Sequence, residues 1–295
     1  MQANPWKIAW RCLVVLNLAI PLTAATELKP ATLEGFERYV QAAEARIAKE
    51  ENDPPDFLYT DGLPAPEHDE TLASLKRGEV FIAPVKMPDA SGKVIEAPGG
   101  LIHDWVGVIC IPRASLRQTI ELLQDYNHHQ EYFKPEVIGS RLISRQGNDF
   151  KIFLRFREKK VITVVLDTEH EVHYTPVDST HWYSRSFTTR IAQVEKPGKA
   201  DEYELPVGDD GGYLWRMNTY WEFEERDGGV YVQCESISLT RDIPRGLGWM
   251  LQPFVTSVPR ESLQDTLTDL RTAVLEKASE GESLRCCGSD PTPPQ

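Results

Sequence analysis

The chain has 295 residues, of which 41% are hydrophobic, and a formal net charge of −13 at neutral pH. That length suits one large domain or a domain with an appendage. The acidity argues against nucleic acid and anionic membrane surfaces as partners, because both require clustered Lys and Arg.

The first residues read as a secretory signal, residues 1–25. Lys7 and Arg11 supply a positive start, Cys12–Ile20 is a short apolar core, and Pro21 ends it ahead of the small residues Thr23, Ala24 and Ala25. Cleavage is expected after Ala24 or Ala25, and the apolar run is too short for a membrane span. An uncleaved anchor is the alternative. No later apolar run approaches the roughly 18–20 residues of a spanning helix. Cleavage leaves four cysteines: Cys110, Cys234, Cys286 and Cys287. Export makes disulfides chemically possible. Cys286 and Cys287 fall in a polar, Pro-rich tail, 278–295, expected to be disordered. No CxxC or Cys/His spacing supports a metal.

In chain order, Thr32 caps an amphipathic helix with Leu33, Phe36, Val40, Ala43 and Ile47 on one face. Residues 51–70 read as a covering loop, and Val80–Met87 as an edge strand interrupted by Pro84. Leu101–Ile111 is apolar on both parities, which predicts a strand buried on both sides, its outer face covered by residues 32–87. Pro112 ends it, and Leu116, Ile120 and Leu123 mark a short helix. Six strands follow: Val137–Arg145, Phe150–Glu158, Val161–Tyr174, Trp182–Val194, Tyr213–Glu224 and Val230–Thr240. The last two flank the hairpin turn Asp227-Gly228-Gly229. Ile243–Leu275 is helical, with Gly246, Gly248 and Pro253 predicting a kink or break and Pro259 a fresh start.

This order of elements, with the runs Lys159–Val172, Arg190–Glu195 and Leu239–Pro244, resembles the START-like (SRPBCC, polyketide cyclase-like) helix-grip superfamily, and within it an exported bacterial branch. The likeness covers roughly Gly99–Leu275. It implies an α+β fold in which a curved antiparallel β-sheet wraps around a long C-terminal α-helix, with an apolar cavity between them and no fixed catalytic residues. Residues 26–98 would form an N-terminal helical and irregular appendage, and 99–277 the helix-grip domain. In such a fold the first and last strands are antiparallel neighbours, so a Cys110–Cys234 disulfide is expected as one option and two unpaired buried thiols as the other.

Aromatic and Met side chains supply contact area to irregular apolar ligands. That makes Trp105, Trp215, Met217, Trp221, Trp249 and Phe254 the candidate ligand wall, unless they simply fill a core. His170 and Tyr174 share the apolar parity of their strand, and His103 lies on the opening strand. These three are the polar groups expected to orient a ligand, or, for His170 with Tyr174, to act as acid and base. Arg185 would anchor a carboxylate if it points inward. His128 and His129 read as a solvated loop rather than a metal site. No GxSxG or phosphate loop is present. The expectation is an exported binder of a hydrophobic or amphipathic small molecule, a lipid or aromatic metabolite, gated by Gly246, Gly248 and Pro253. It would need no cofactor, no nucleic acid and no membrane span after cleavage. A cyclase- or hydrolase-type enzyme and an envelope interaction protein with a filled core are the alternatives.

Overall fold

The structure, a computed structural model, describes residues 26–51, 56–159, 162–242 and 248–287, with side chains described from 27 and not for 248–256 or beyond 280. Short β1 (Thr26–Glu27) leads into α1 (Pro30–Glu51), α2 (Glu67–Lys76), β2 (Phe81–Pro84) and β3 (Gly100–Pro112). Helices α3 (Leu116–Leu123) and α4 (His129–Tyr132) precede β4 (Val137–Gln146), β5 (Asp149–Lys159), β6 (Thr163–Pro176) and β7 (His181–Glu195). The chain closes with β8 (Tyr203–Glu204), β9 (Asp209–Asp210), β10 (Arg216–Arg226), β11 (Gly229–Arg241) and α5 (Gly248–Cys287).

One sheet runs in the order β2-β3-β11-β10-β7-β6-β5-β4, with β8 on β7, and every pair is antiparallel. The tight β10–β11 turn is made by Asp227 and Gly228, both at positive φ (54° and 75°), which matches the twist of the flanking strands. α3 starts on a reciprocal cap between Ser115 and Gln118. This is the α+β helix-grip arrangement.

Alternation gives the sheet two faces. Helix α5 lies on the inner face, where Leu263, Leu267, Leu270 and Val274 join Ile109, Val232 and Phe223 in the main core. It packs over Gly107, where an added Cβ would stand 2.6 Å from Leu267 Cδ1 and push that side chain aside. The outer face is covered by α1, whose Phe36, Tyr39, Ala43 and Ile47 pack on Tyr220, Ile237 and Leu239. Helix α2 contributes Leu75 to a third cluster with Val108, Cys110 and Tyr231. Residues 26–98 are also joined to the body by hydrogen bonding: Phe81 pairs with Val108, and Thr26 with Asp210.

Two expectations are corrected here. Cys110 and Cys234 are both free and buried. β3 and β11 are neighbours as implied, but the register sets Cys110 opposite Tyr231 and Cys234 opposite Gly107. The three-residue offset turns Cys110 to the outer cluster and Cys234 to the inner core, so the sulfurs face opposite sides of the sheet. Secondly, α5 continues through Pro253 and Pro259 and past residue 277 to Cys287. The loss of one N–H at each proline does not break it. Gly246 and the rest of the predicted hinge at 243–247 lie outside the described residues, as do residues 1–25 and 288–295.

Candidate ligand cavity

Between the inner face and α5 lies a cavity of about 370 Å³. Its walls are largely apolar, with Ile152, Leu154 and Phe156 from β5, Val164, Leu166 and Val172 from β6, Met217 and Trp221 from β10, and Leu263 from α5. Alternation explains the set: each strand contributes every second residue.

The polar groups converge at defined points. Tyr126 and Tyr174 are both buried, and their hydroxyls lie 2.8 Å apart. Thr168 Oγ1 donates to the Leu154 carbonyl at 2.9 Å, and a carbonyl can only accept. The hydroxyl proton is therefore committed, and His170 Nε2–H must be the donor in the 2.8 Å contact to Thr168 Oγ1. That leaves His170 Nδ1 as an acceptor, with Ser186 Oγ at 3.5 Å, the limit of a hydrogen bond. His129 follows the same logic, since Nε2–H donates to the Leu123 carbonyl at 2.9 Å. Burial lowers both histidines to about 4, so each is a neutral ring at neutral pH. Ser184, Ser186, Thr219, Ser236, Ser238 and Thr240 add hydroxyls to the lining. From α5, Asp269 reaches the cavity, and its buried Oδ2 has no hydrogen-bond partner among the described residues. Burial, then the charges of Glu136 and Asp265, push Asp269 up to about 6.

The anticipated ligand residues divide. His170, Tyr174, Met217 and Trp221 line the cavity. His170 and Tyr174 are not bonded to each other, since one is held by Thr168 and the other by Tyr126, and no acid–base dyad forms. Trp105 and His103 lie on the inner face but outside the lining. Trp105 packs against the core, and His103 Nε2 lies 3.0 Å from Thr240 Oγ1, its ring lowered to about 4 by burial. Trp215 is a correction: it is 2% exposed and packs on the opposite face with Phe36, Tyr39 and Tyr220. The ladder begins at Arg216 opposite Leu239, so period-two alternation does not extend back to Trp215. Trp249 and Phe254 lie outside the described side chains. Arg185 points outward and donates to Glu51 Oε2 at 2.7 Å, so it anchors nothing in the cavity. His128 faces solvent with Asp125 at 2.7 Å, back to back with buried His129. Among the described residues no three His, Cys, Asp or Glu side chains are placed to hold a metal. No described helix is long and apolar enough to cross a membrane.

Tyr126, the serine row of β11 and Asp269 were not anticipated. The signal for the row was present: Ser236, Ser238 and Thr240 alternate with Ile237 and Leu239. The hydroxyls face the cavity and the aliphatics Ile237 and Leu239 face α1.

No family model matches the chain, and no curated protein does. Among solved structures it is similar to the STAR-related lipid transfer protein of Xanthomonas axonopodis, at 17% identity over 65% of this chain and 98% of that one, with a TM-score of 0.42. It is similar to human STARD10 at 10% identity over 75% of this chain and 84% of that one (TM-score 0.41). The Zhui aromatase/cyclase of Streptomyces sp. R1128 matches at 10% identity over 60% of this chain and 96% of that one (TM-score 0.42). The fold is START-like. That assignment stands on the strand order, the inner-face helix and the cavity between them.

Proposed function

We propose that the chain is exported and holds one hydrophobic or amphipathic small molecule, a lipid or aromatic metabolite, between the sheet and α5, as a carrier or sensor. The observation that carries this reading is the cavity itself: about 370 Å³, apolar-walled, with a few convergent polar groups. Ligand pockets typically span roughly 300–1,000 Å³ and have this composition. Its size suits a single-chain or fused-ring molecule. Export is supported by the charged start, short apolar core and small residues of 1–25.

Native mass spectrometry of the mature protein from an exporting host, with denaturing extraction alongside, tests the reading. The expected result is a mass excess released as a small apolar molecule. An apoprotein that also fails to take up any member of a lipid and aromatic panel would refute it.

A further inference from the structure

We propose that the cavity selects an uncharged amphiphile bearing a hydroxyl proton, an alcohol or phenol, and discriminates against carboxylates and phosphates. The inference deepens the ligand-binding reading above and rests on it.

The argument begins with polarity that cannot rotate away. Serine, threonine and tyrosine hydroxyls can donate or accept, so they do not choose between ligand classes. The groups of fixed polarity do choose. His170 and His129 both spend Nε2–H on protein acceptors, Thr168 Oγ1 at 2.8 Å and the Leu123 carbonyl at 2.9 Å. Each therefore offers a bare Nδ1 as an acceptor. His129 Nδ1 has no hydrogen-bond donor among the described residues, and His170 Nδ1 has only the 3.5 Å contact to Ser186. Asp269 adds a third acceptor, the unpartnered Oδ2. All three ask for a proton from the ligand.

Charge points the same way. The lining carries the acidic residues Glu136, Glu158, Asp242 and Asp269 against two basic ones, Arg157 and Arg241. Arg157 is exposed. Arg185, the cation that could have met an anion inside, is held on the outer face by Glu51. A carboxylate entering this interior would lose its hydration beside acceptors and acidic groups, and burying an uncompensated charge is heavily disfavoured. A hydroxyl entering it would give a proton to an acceptor that otherwise lacks one, as the buried Asp269 Oδ2 does.

The test displaces the neutral dye Nile red from the mature full chain with dodecanol, dodecanoate and dodecyl methyl ether, at about pH 8 so that the acid is ionised. Dodecanoate isolates charge and the ether isolates the donor. The expected result is that dodecanol binds about tenfold tighter than either competitor. In His170→Phe or His129→Phe, the alcohol-over-ether preference should fall toward one. Equal affinity for alcohol and ether, or tighter binding of dodecanoate, overturns this inference and leaves the ligand-binding reading standing. A preference retained in both variants removes the histidines from it. If Nile red and all three probes fail to bind, the ligand-binding reading falls as well.

Discussion

The two faces of the sheet are built from the same strands and solve opposite problems. The inner face is apolar, dotted with hydroxyls and neutral rings, and leaves room for a ligand. The outer face, beneath α1 and the segment after it, buries charge: Asp104, Glu222, Glu224 and Glu235 are all 9% exposed or less. Arg46 grips Glu235 with two contacts of 2.5 Å and also holds Glu50. Tyr39 donates to Asp104 at 2.9 Å, Tyr220 to Glu44 at 3.0 Å, and Arg226 to Asp61 at 2.8 Å. Apolar contacts tolerate sliding, whereas these directional pairs hold only in one register. The difference teaches that the covering helix is located by paired charge, while the gripping helix is seated by shape at Gly107.

The largest expected effect breaks the outer face. Arg46→Met leaves Glu235 buried without its partner and should cost about 3–5 kcal/mol, read as a lowered midpoint in chemical denaturation. Arg46→Met combined with Glu235→Met should recover most of that loss, because the pair's attraction is offset by the desolvation of both charges. A single variant as stable as the parent would show that α1 is not held by this pair.

A second expectation sharpens the comparison through pH, because Asp104 on the outer face and the buried histidines on the inner face titrate with opposite sign. Burial, then the negative charge of Glu235, push Asp104 from 3.8 up to about 8, while the hydroxyl of Tyr39 and the charge of Arg46 oppose the rise. The folded chain thus keeps a proton that the unfolded chain has released, and stability falls as pH rises from about 4 toward 8. On the inner face, burial lowers His103, His129 and His170 from 6.5 to about 4. There the unfolded chain binds more protons, so stability falls as pH drops from 6.5 toward 4. Between pH 6.5 and 8 the buried histidines no longer contribute, and Tm should decline with rising pH. Asp104→Asn, which fixes the neutral form, should reduce that decline, the remainder belonging to Glu222 and Glu235, whose carboxyls burial also raises. Exposed His128, held up by Asp125, adds a smaller fall of the same sign that the variant leaves in place. A decline unchanged in Asp104→Asn would move its origin off Asp104, to the other buried outer-face carboxyls Glu222 and Glu235.

Much of this was legible in the sequence where a strand has a single polar parity. β6 is the clear case: Val164, Leu166, Thr168, His170, Val172 and Tyr174 all point inward, as their spacing implies. β3, apolar on both parities, correctly announced cover on both sides. β11 was not legible in this way, because an aliphatic parity under a helix looks the same as one in a core, and only its partner strands decide which face is which. The register that separates Cys110 from Cys234 was not legible, because it depends on where the Asp227–Gly228 turn begins the pairing. The outer charge network was hidden for a related reason. Glu235 meets its partner only when α1, remote in sequence, brings Arg46 to it.

The smallest expected effect tests the division of faces at two tryptophans six positions apart. Trp221 lies in the cavity wall, its ring stacked with Phe223 at 6.2 Å between centroids. Trp215 is sealed on the outer face against α1. If the ligand space belongs to the inner face alone, Trp221→Phe removes contact area from the bound state and should weaken Nile red a few-fold. Trp215→Phe should leave that affinity within about twofold while lowering Tm, since its lost contacts are with Phe36 and Tyr39. The same pair predicts which emission responds to ligand: quenching should survive in Trp215→Phe and diminish in Trp221→Phe. Equal loss of dye binding in both variants would mean that movement at the α1 face reaches the cavity through β10. The two faces would then act as one coupled element, and the strands between them would transmit strain rather than insulate it.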